Sequence, residues 1–299
     1  MSVFAPAPLE DHALLDSGAG EKLERYGALV LRRPDPQAMW PRRLGPEAWE
    51  AADLRFVRES DRGGRWEGPR AGVDAWEVGV AVAGGPAARL VLRPTPFKHV
   101  GLFPEQAANW AWFLGGPPPS AEEGRPRLLN LFGYTGAASV LAAAAGWSVT
   151  HVDASRASLD WAAENARRSG LGDDAVRWIL DDALKFAARE VRRGRRYEGV
   201  LLDPPHYGRG PKGEKWRLET GLAPLVEACA SLLAPTPGAF LVLSTYAVGL
   251  GPQTLVNLLR DLPEGAVEAG ELVLPETSGR DAPPRLLPCG FCARWRRGG

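Results

Sequence analysis

Leu128-Leu-Asn-Leu-Phe132-Gly-Tyr-Thr-Gly136 decides the fold of this 299-residue chain. A short apolar run ends in a turn whose glycines let the backbone bend tightly, and an alanine-rich stretch, Gly136–Ala145, follows with helical periodicity. The pattern then repeats: strand Ser148–Val152, helix Ser155–Ser169 closed by Gly170, strand Ala175–Leu180, helix Ala183–Arg193 and strand Tyr197–Leu202. Helix Leu218–Leu233, strand Ala239–Ser244 and helix Pro252–Leu262 come next. Strands alternating with helix-length segments predict a mostly parallel α/β sheet with helical crossovers. Two last strand candidates, near Glu271–Leu274 and Phe291–Trp295, have no helix-length pattern between them and are expected to pair antiparallel.

On the N-terminal side the pattern changes. Residues 1–95 read as a β-rich region, with Trp76–Val80 and Arg89–Arg93 forming a hairpin around Gly84-Gly85-Pro86 and short strands at Ala28–Leu31 and Leu54–Val57. A helix is expected from Pro104 to Gly115, and Gly115–Arg125 reads as a linker between that helix and the repeating α/β pattern. The expected division is therefore 1–95 and 96–299.

Composition narrows the function classes. Apolar residues make up 45% of the chain, enough for a buried core, while 36 basic and 36 acidic side chains leave no net field to draw the protein to nucleic acid or membrane. Any such contact must come from a local patch. Only five of the 36 cations are lysine, an arginine excess that reads as coding bias. Three cysteines cannot make a disulfide framework, the chain reaches Glu10 and Asp11 before any long apolar stretch, and no run approaches a membrane span. A cytoplasmic protein with no membrane partner is expected.

The chemistry-bearing residues fall at strand ends. The turn after the first strand presents free backbone N–H groups at a helix start, a place for a carboxylate or phosphate. Asp153 closes the second strand, where a carboxylate can accept from two ribose hydroxyls, although it could equally cap the next helix, a role for which Ser155 is a rival. Asp181-Asp182 closes the third, and Asp203-Pro204-Pro205-His206-Tyr207 the fourth. Both the G-x-x-x-x-G-K-[ST] loop and G-x-G-x-x-G are absent, so a cofactor with adenosine but no phosphates fits better than a nucleotide. In Asp-Pro-Pro the prolines stiffen the strand exit and contribute no N–H, leaving the Asp203 carboxylate and the Pro204 carbonyl as acceptors for a planar amine. Arg209, Lys212, Lys215 and Arg217 follow within a few residues, interleaved with Tyr207 and Trp216, and could hold phosphates and stack a base. Cys289-Gly-Phe-Cys292 has zinc spacing but no second pair, so no metal site is expected.

The glycine turn, Asp153, Asp182 and Asp203-Pro204-Pro205 at successive strand ends resemble the class I S-adenosylmethionine-dependent methyltransferases. Leu129–Gly136, Asp203-Pro-Pro and Phe97-Lys-His-Val-Gly-Leu-Phe-Pro-Glu-Gln106 are similar to the bacterial 23S rRNA cytosine-C5 methyltransferase group, over about residues 97–299. The resemblance implies a Rossmann-like sheet of seven strands with an antiparallel last pair, S-adenosyl-L-methionine as cofactor, and RNA, rRNA or its fragments, as substrate. It implies that Phe132, Gly133, Tyr134, Thr135 and Gly136 line the methionine end of the cofactor. Asp153 with Ala154 would bind the ribose, Asp182 would bind the adenine amino group, and Gln106 would approach the cofactor. The chain departs from the wider superfamily at Asn130, where an acid is usual, and at Phe132 and Tyr134, where glycines are usual. Where the cytosine-C5 enzymes carry a thiol after the fifth strand, this sequence reads Ser244-Thr245-Tyr246. A threonine hydroxyl is a far weaker nucleophile, so transfer to nitrogen is expected, with Asp203, Pro204 and Pro205 as the catalytic residues. A protein or small-molecule methyltransferase, and a non-catalytic RNA-binding module, remain the alternatives.

Overall fold

The computed structural model describes residues 2–60, 63–116, 119, 124–246, 249–279 and 283–298. The linker expected over Gly115–Arg125 lies largely outside the described residues.

The N-terminal region opens with β1 (Ser2–Phe4), then builds a five-stranded sheet from β2 (His12–Gly18), β3 (Glu21–Tyr26), β4 (Leu29–Pro34), β5 (Leu54–Ser60) and β6 (Gly63–Glu67), with helix α1 (Pro46–Glu50) inserted. The expected hairpin is β7 (Trp76–Ala81) and β8 (Ala87–Leu92), paired antiparallel. A 3-10 turn, Pro104–Gln106, leads into α2 (Ala107–Leu114), so the helix expected from Pro104 begins in the tighter form.

From there the chain alternates β9 (Arg127–Leu131), α3 (Ala137–Ala144), β10 (Ser148–Asp153), α4 (Arg156–Arg168), β11 (Val176–Leu180), α5 (Ala183–Arg192) and β12 (Gly199–Leu202). A short hairpin, β13 (Tyr207–Arg209) with β14 (Lys215–Arg217), precedes α6 (Leu218–Leu232), β15 (Phe240–Thr245), α7 (Pro252–Leu258), β16 (Gly265–Pro275) and β17 (Leu286–Arg297). The last helix is a turn shorter than the sequence suggests, closing at Leu259.

The large sheet runs β1-β16-β17-β15-β12-β9-β10-β11, with β17 antiparallel to both its neighbours. The expected seven strands are therefore eight. β1 adds to the edge parallel to β16, pairing Ser2–Phe4 with Gly270–Leu272. Three residues are too short to carry a period, which is why the sequence hid this strand.

Both faces of the sheet are covered, which explains its nearly continuous apolar strands. Leu128 on β9 and Phe240 and Val242 on β15 face the layer that holds α2, α3 and the β7–β8 hairpin. Their neighbours Leu129, Leu131, Leu241 and Leu243 face α5, α6 and α7. Phe240 is the keystone of its layer, stacked on Phe113 at 5.5 Å and edge-on to Trp112 and Trp147 at 5.8 and 5.7 Å.

The chain leaves β9 toward β10 and β11, then returns to place β12 on the other side of β9. Strand order reverses there, and the segments that leave the C-terminal ends of β9 and β12 run to opposite halves of the sheet, which leaves a crevice. Phe132–Gly136 and Asp203 stand at those two ends.

Truncating Phe240 to Ala should lower the unfolding free energy by about 3–5 kcal/mol, the range for deleting a fully buried aromatic ring. Urea titration followed by tryptophan fluorescence measures it. A loss under about 1 kcal/mol would show that the layer collapses to fill the void.

Candidate active site

A cavity of about 650 Å³ opens at the crevice, floored by Asp203, Pro204 and Pro205 and bounded by Phe132, Tyr134, Asp153, Ala154 and Asp182. A smaller one of about 80 Å³ continues behind it along Gln106, Gly133 and Thr135, sharing Phe103, Phe132, Tyr134 and Asp203.

The turn after β9 is held in an unusual backbone state. Phe132 has φ of 58° and Tyr134 φ of 51°, so both occupy the left-handed region that glycine enters freely and other residues enter at about 1–2 kcal/mol each. These are the two positions where the sequence departs from glycine. What the strain secures is aromatic surface: Phe132 packs on Trp216 at 5.0 Å between centroids, and Tyr134 on Phe103 at 5.7 Å. Between them Gly133 cannot carry a side chain, because a Cβ there would lie 2.4 Å from the His151 ring. His151 is buried and neutral, its pKa pushed down to about 3 by desolvation, and it bonds Ser139, which in turn accepts from Asn130. Asn130, the departure from the superfamily's usual acid, is thus one member of an uncharged network.

Asp153 at the end of β10 receives the Tyr134 N–H on Oδ2 at 2.9 Å and the Ser155 N–H on Oδ1 at 2.8 Å. Burial raises its pKa, against the pull of those backbone donors. Helix α4 is capped by Ser155, whose hydroxyl accepts from Ser158, so Asp153 is not the cap. Asp182, by contrast, caps α5 by accepting from the Lys185 N–H at 2.9 Å. One of its oxygens is committed to the helix and only the other can serve a ligand. Asp181 also lines the cavity and pairs with Arg189.

Asp203 is the most perturbed acid of the site. It is half-buried; among the described residues its buried Oδ1 has no hydrogen-bond partner, and its Oδ2 receives only the Gln106 amide at 3.5 Å. Desolvation, with Glu105 adding repulsion, raises its pKa from the ordinary 3.8 to about 7. The Pro205 carbonyl accepts the Trp216 indole N–H at 2.7 Å. No described residue donates to the Pro204 carbonyl.

Several expected positions fall elsewhere. Thr135 gives its hydroxyl to the Gly101 carbonyl and borders only the smaller cavity. Gly136, with φ of 83°, caps α3 and lies against Ala162, bordering neither cavity. Gln106 touches the smaller cavity and Asp203. Trp216 is buried under Phe132, its N–H spent on Pro205, so it forms wall and cannot swing out to stack a base. The reason lies in strand alternation, since Tyr207 pairs with Arg217 and Arg209 with Lys215 on one face of the β13–β14 hairpin while Trp216 points to the other. Tyr207, 62% exposed, Lys212, Lys215 and Arg217 stand outside the cavity, and Arg209, on the same hairpin face as Tyr207, borders it. His206 borders it too, hydrogen-bonded to Glu219 at 2.6 Å.

Among the cavity residues that carried no individual sequence signal are His99, Phe103, Trp161 and Tyr246. Phe103 and His99 lie in the Phe97–Gln106 segment quoted above. Gly101, at φ of 107°, lies flat against the Trp161 ring, where a Cβ would come within 2.4 Å. No cysteine borders either cavity among the described residues: Cys229, Cys289 and Cys292 are all desolvated, which raises their thiol pKa values. Among the described residues no three His, Cys, Asp or Glu side chains converge as for a metal ion, and no helix is long and apolar enough to cross a membrane.

This geometry suits an uncharged heterocycle attached to a diol: aromatic walls, an acceptor at the end of β10, and a second at the end of β11. A solved structure from Agrobacterium tumefaciens, described as a S-adenosylmethionine-dependent methyltransferase, is 38% identical and superposes with a TM-score of 0.91 over 99% of this chain and 93% of that one. The chain belongs to the S-adenosylmethionine-dependent methyltransferases. Its cofactor is accordingly S-adenosylmethionine, as the absent phosphate loops foretold. The ribosomal RNA large subunit methyltransferase K/L of Methylococcus capsulatus is 39% identical over 119 residues, 39% of this chain but only 16% of that protein. A Streptococcus mutans structure at 15% identity, TM-score 0.68, shares the fold over 96% of this chain and 76% of that one. No family model matches the sequence.

Linkage fixes the sign of one stability effect. A carboxyl whose folded pKa is about 7 rather than 3.8 favours the fold while protonated, and this stabilisation is lost as pH rises from about 4 to 7. Full ionisation costs on the order of 4 kcal/mol. Asp203→Asn should therefore raise the unfolding free energy by a few kcal/mol at pH 8 and change it little at pH 4, as measured by urea titration. Equal effects at the two pH values would contradict the raised pKa.

Proposed function

We propose that this enzyme methylates a nitrogen of a base in RNA, with Asp203 holding the acceptor amine. The observation that carries the reading is the Asp203 carboxylate on the floor of a cavity roomy enough for a cofactor and a base, its buried Oδ1 unpartnered among the described residues. A buried acceptor left without a donor is unfavourable by about 1–3 kcal/mol, which favours any ligand that supplies an N–H there. Bound S-adenosylmethionine supplies an electrophilic methyl group on a sulfonium.

The chain's own residues do the rest. Asp153, with Ala154 beside it, accepts from the ribose hydroxyls, the free oxygen of Asp182 accepts from the adenine amine, and Phe132 and Tyr134 flank the remainder of the cofactor. Gly133, Thr135 and Gly136 shape that turn from behind. Asp203 Oδ1 and the Pro204 carbonyl each accept an N–H of the amine, while Pro205 fixes the strand exit. Those contacts orient the nitrogen lone pair for in-line attack, and positioning of that kind supplies much of the acceleration. The nitrogen must shed a proton as it gains the methyl group, and a carboxylate with a pKa near 7 is matched to receive it.

The RNA assignment draws on the outer face of the β13–β14 hairpin. Arg209 and Lys215 are directly paired across the strands, and Lys212 and Arg217 flank them. Like charges opposite one another destabilise a hairpin, so the arrangement calls for a polyanion. The Methylococcus capsulatus relative, a ribosomal RNA methyltransferase by name, supports the same substrate class.

Asp153→Ala should weaken S-adenosylmethionine binding at least about tenfold in calorimetry, since charge-assisted bonds contribute roughly 1.5–3 kcal/mol each. In methyl-transfer assays on RNA from cells lacking the gene, kcat/KM should rise with pH through about 7 as Asp203 ionises. Asp203→Asn should abolish that rise and lower kcat by roughly 10²–10³. Cys229, Cys289 and Cys292 changed together to Ser should leave transfer intact. Transfer to protein or a small molecule but not RNA would sink the substrate assignment. RNA binding with no transfer at all would leave only a binding module.

A further inference from the structure

Gln106 lies in the Phe97–Gln106 segment, yet its side chain faces Asp203 rather than the larger cavity. We infer that Arg294, Asn109 and Gln106 form a polarity relay that holds Asp203 with one carboxylate oxygen occupied and the other open to the acceptor. Arg294 and Asn109 are then positioning residues, acting through Gln106. The inference rests on the reading of Asp203 as the group that meets the acceptor amine.

Hydrogen-bond polarity carries the argument. A guanidinium has donors and no acceptor, so the oxygen facing it must belong to an acceptor. Arg294 on β17 is buried between Phe4 of β1, 4.0 Å from the ring centroid, and Trp112 of α2, and cannot turn away. Its Nε donates to Asn109 Oδ1 at 2.8 Å, and the Cys292 thiol donates to the same oxygen at 3.3 Å. With Oδ1 fixed on that side, the Asn109 amide must present its N–H groups to the other. They donate to Gln106 Oε1 at 2.7 Å and to Ser244 Oγ at 3.1 Å. Gln106 Oε1 is thereby committed, and its Nε2 can face only Tyr246 Oη, at 3.0 Å, and Asp203 Oδ2, at 3.5 Å. Each amide has one orientation because its neighbour has one, back to the arginine.

The consequence falls on Asp203. With the amide reversed, a carbonyl oxygen would oppose the carboxylate and nothing would hold Oδ2. The other titratable groups around Asp203 are Glu105 from the 3-10 turn and Tyr246 after β15. Across the cavity stand His99, Tyr134, Asp153, Asp181, Asp182, His206 and Arg209. Gln106 is the only neutral donor to the Asp203 carboxylate among the described residues.

Carboxyl NMR of protein labelled with carbon-13 at aspartate Cγ follows the Asp203 titration in the ligand-free chain, the signal being identified by its loss in Asp203→Asn. Wild type should titrate near 7. Gln106→Met, which removes the donor, and Asn109→Asp, which keeps a partner for Arg294 but reverses the polarity toward Gln106, should each raise the midpoint by about half a pH unit or more. S-adenosylmethionine affinity in calorimetry should change less than about twofold. Gln106 is only half-buried, so Gln106→Met decides alone should Asn109→Asp not fold. An unmoved midpoint overturns the relay, and an unmoved midpoint with cofactor affinity down about tenfold makes Gln106 a cofactor ligand instead. Full methyl transfer by Asp203→Asn with the midpoint shifts intact overturns the functional reading while the relay stands.

Discussion

Burying a carboxylate with no cation against it is unfavourable, and a fold keeps such a group only where the surrounding structure leaves it no escape. Asp203 is held this way. It follows the fully buried strand β12, flanked by β9 and β15 in parallel register, and two prolines stiffen the backbone immediately beyond it. The strand cannot shift to expose the acid without breaking two ladders. The same topology that traps Asp203 opens the crevice beside it, because β9 and β12 send their chains to opposite halves of the sheet.

His151 and His99 are both held neutral by burial, their pKa values pushed down to about 3, and Asn130 replaces a carboxylate beneath the turn. Aromatic rings take over as wall, even at two positions where the backbone is left-handed and glycine would be less strained. Strain of this kind persists only where its surroundings over-determine it, and here the rings of Phe103, Trp161 and Trp216 fix Phe132 and Tyr134 from outside.

The N-terminal region reaches this site by two routes. Arg33 on β4 donates to the Lys98 carbonyl and Lys98 to the Pro34 carbonyl, which ties the segment carrying His99 and Phe103 to the small sheet. Through β1, Phe4 covers Arg294, whose partner Asn109 orients the amide beside Asp203. Neither route was legible beforehand. β3 reads Glu-Lys-Leu-Glu-Arg-Tyr, charged at four of six positions, which a reader of sequence takes for solvated surface until Arg33, His12 and Tyr26 are seen to surround the buried Glu24.

The sequence by itself determined the alternation of strand and helix from Leu128 onward, the antiparallel last pair, the acids at the ends of β10, β11 and β12, and the lack of any phosphate-cradling loop. These features are local: they follow from apolar periodicity and from what ends each run. Only the tertiary structure decided which side chains share a cavity. Trp216 and Tyr207 lie nine residues apart on one hairpin, yet strand alternation buries the first and exposes the second. Thr135 and Asp182 are placed as expected along the chain, but the Gly101 carbonyl takes the Thr135 hydroxyl and a helix terminus takes one of the two Asp182 oxygens. Trp161 and Tyr246 enter the site from elements that meet only after the sheet closes, because long-range packing, unlike periodicity, leaves no mark on neighbouring residues.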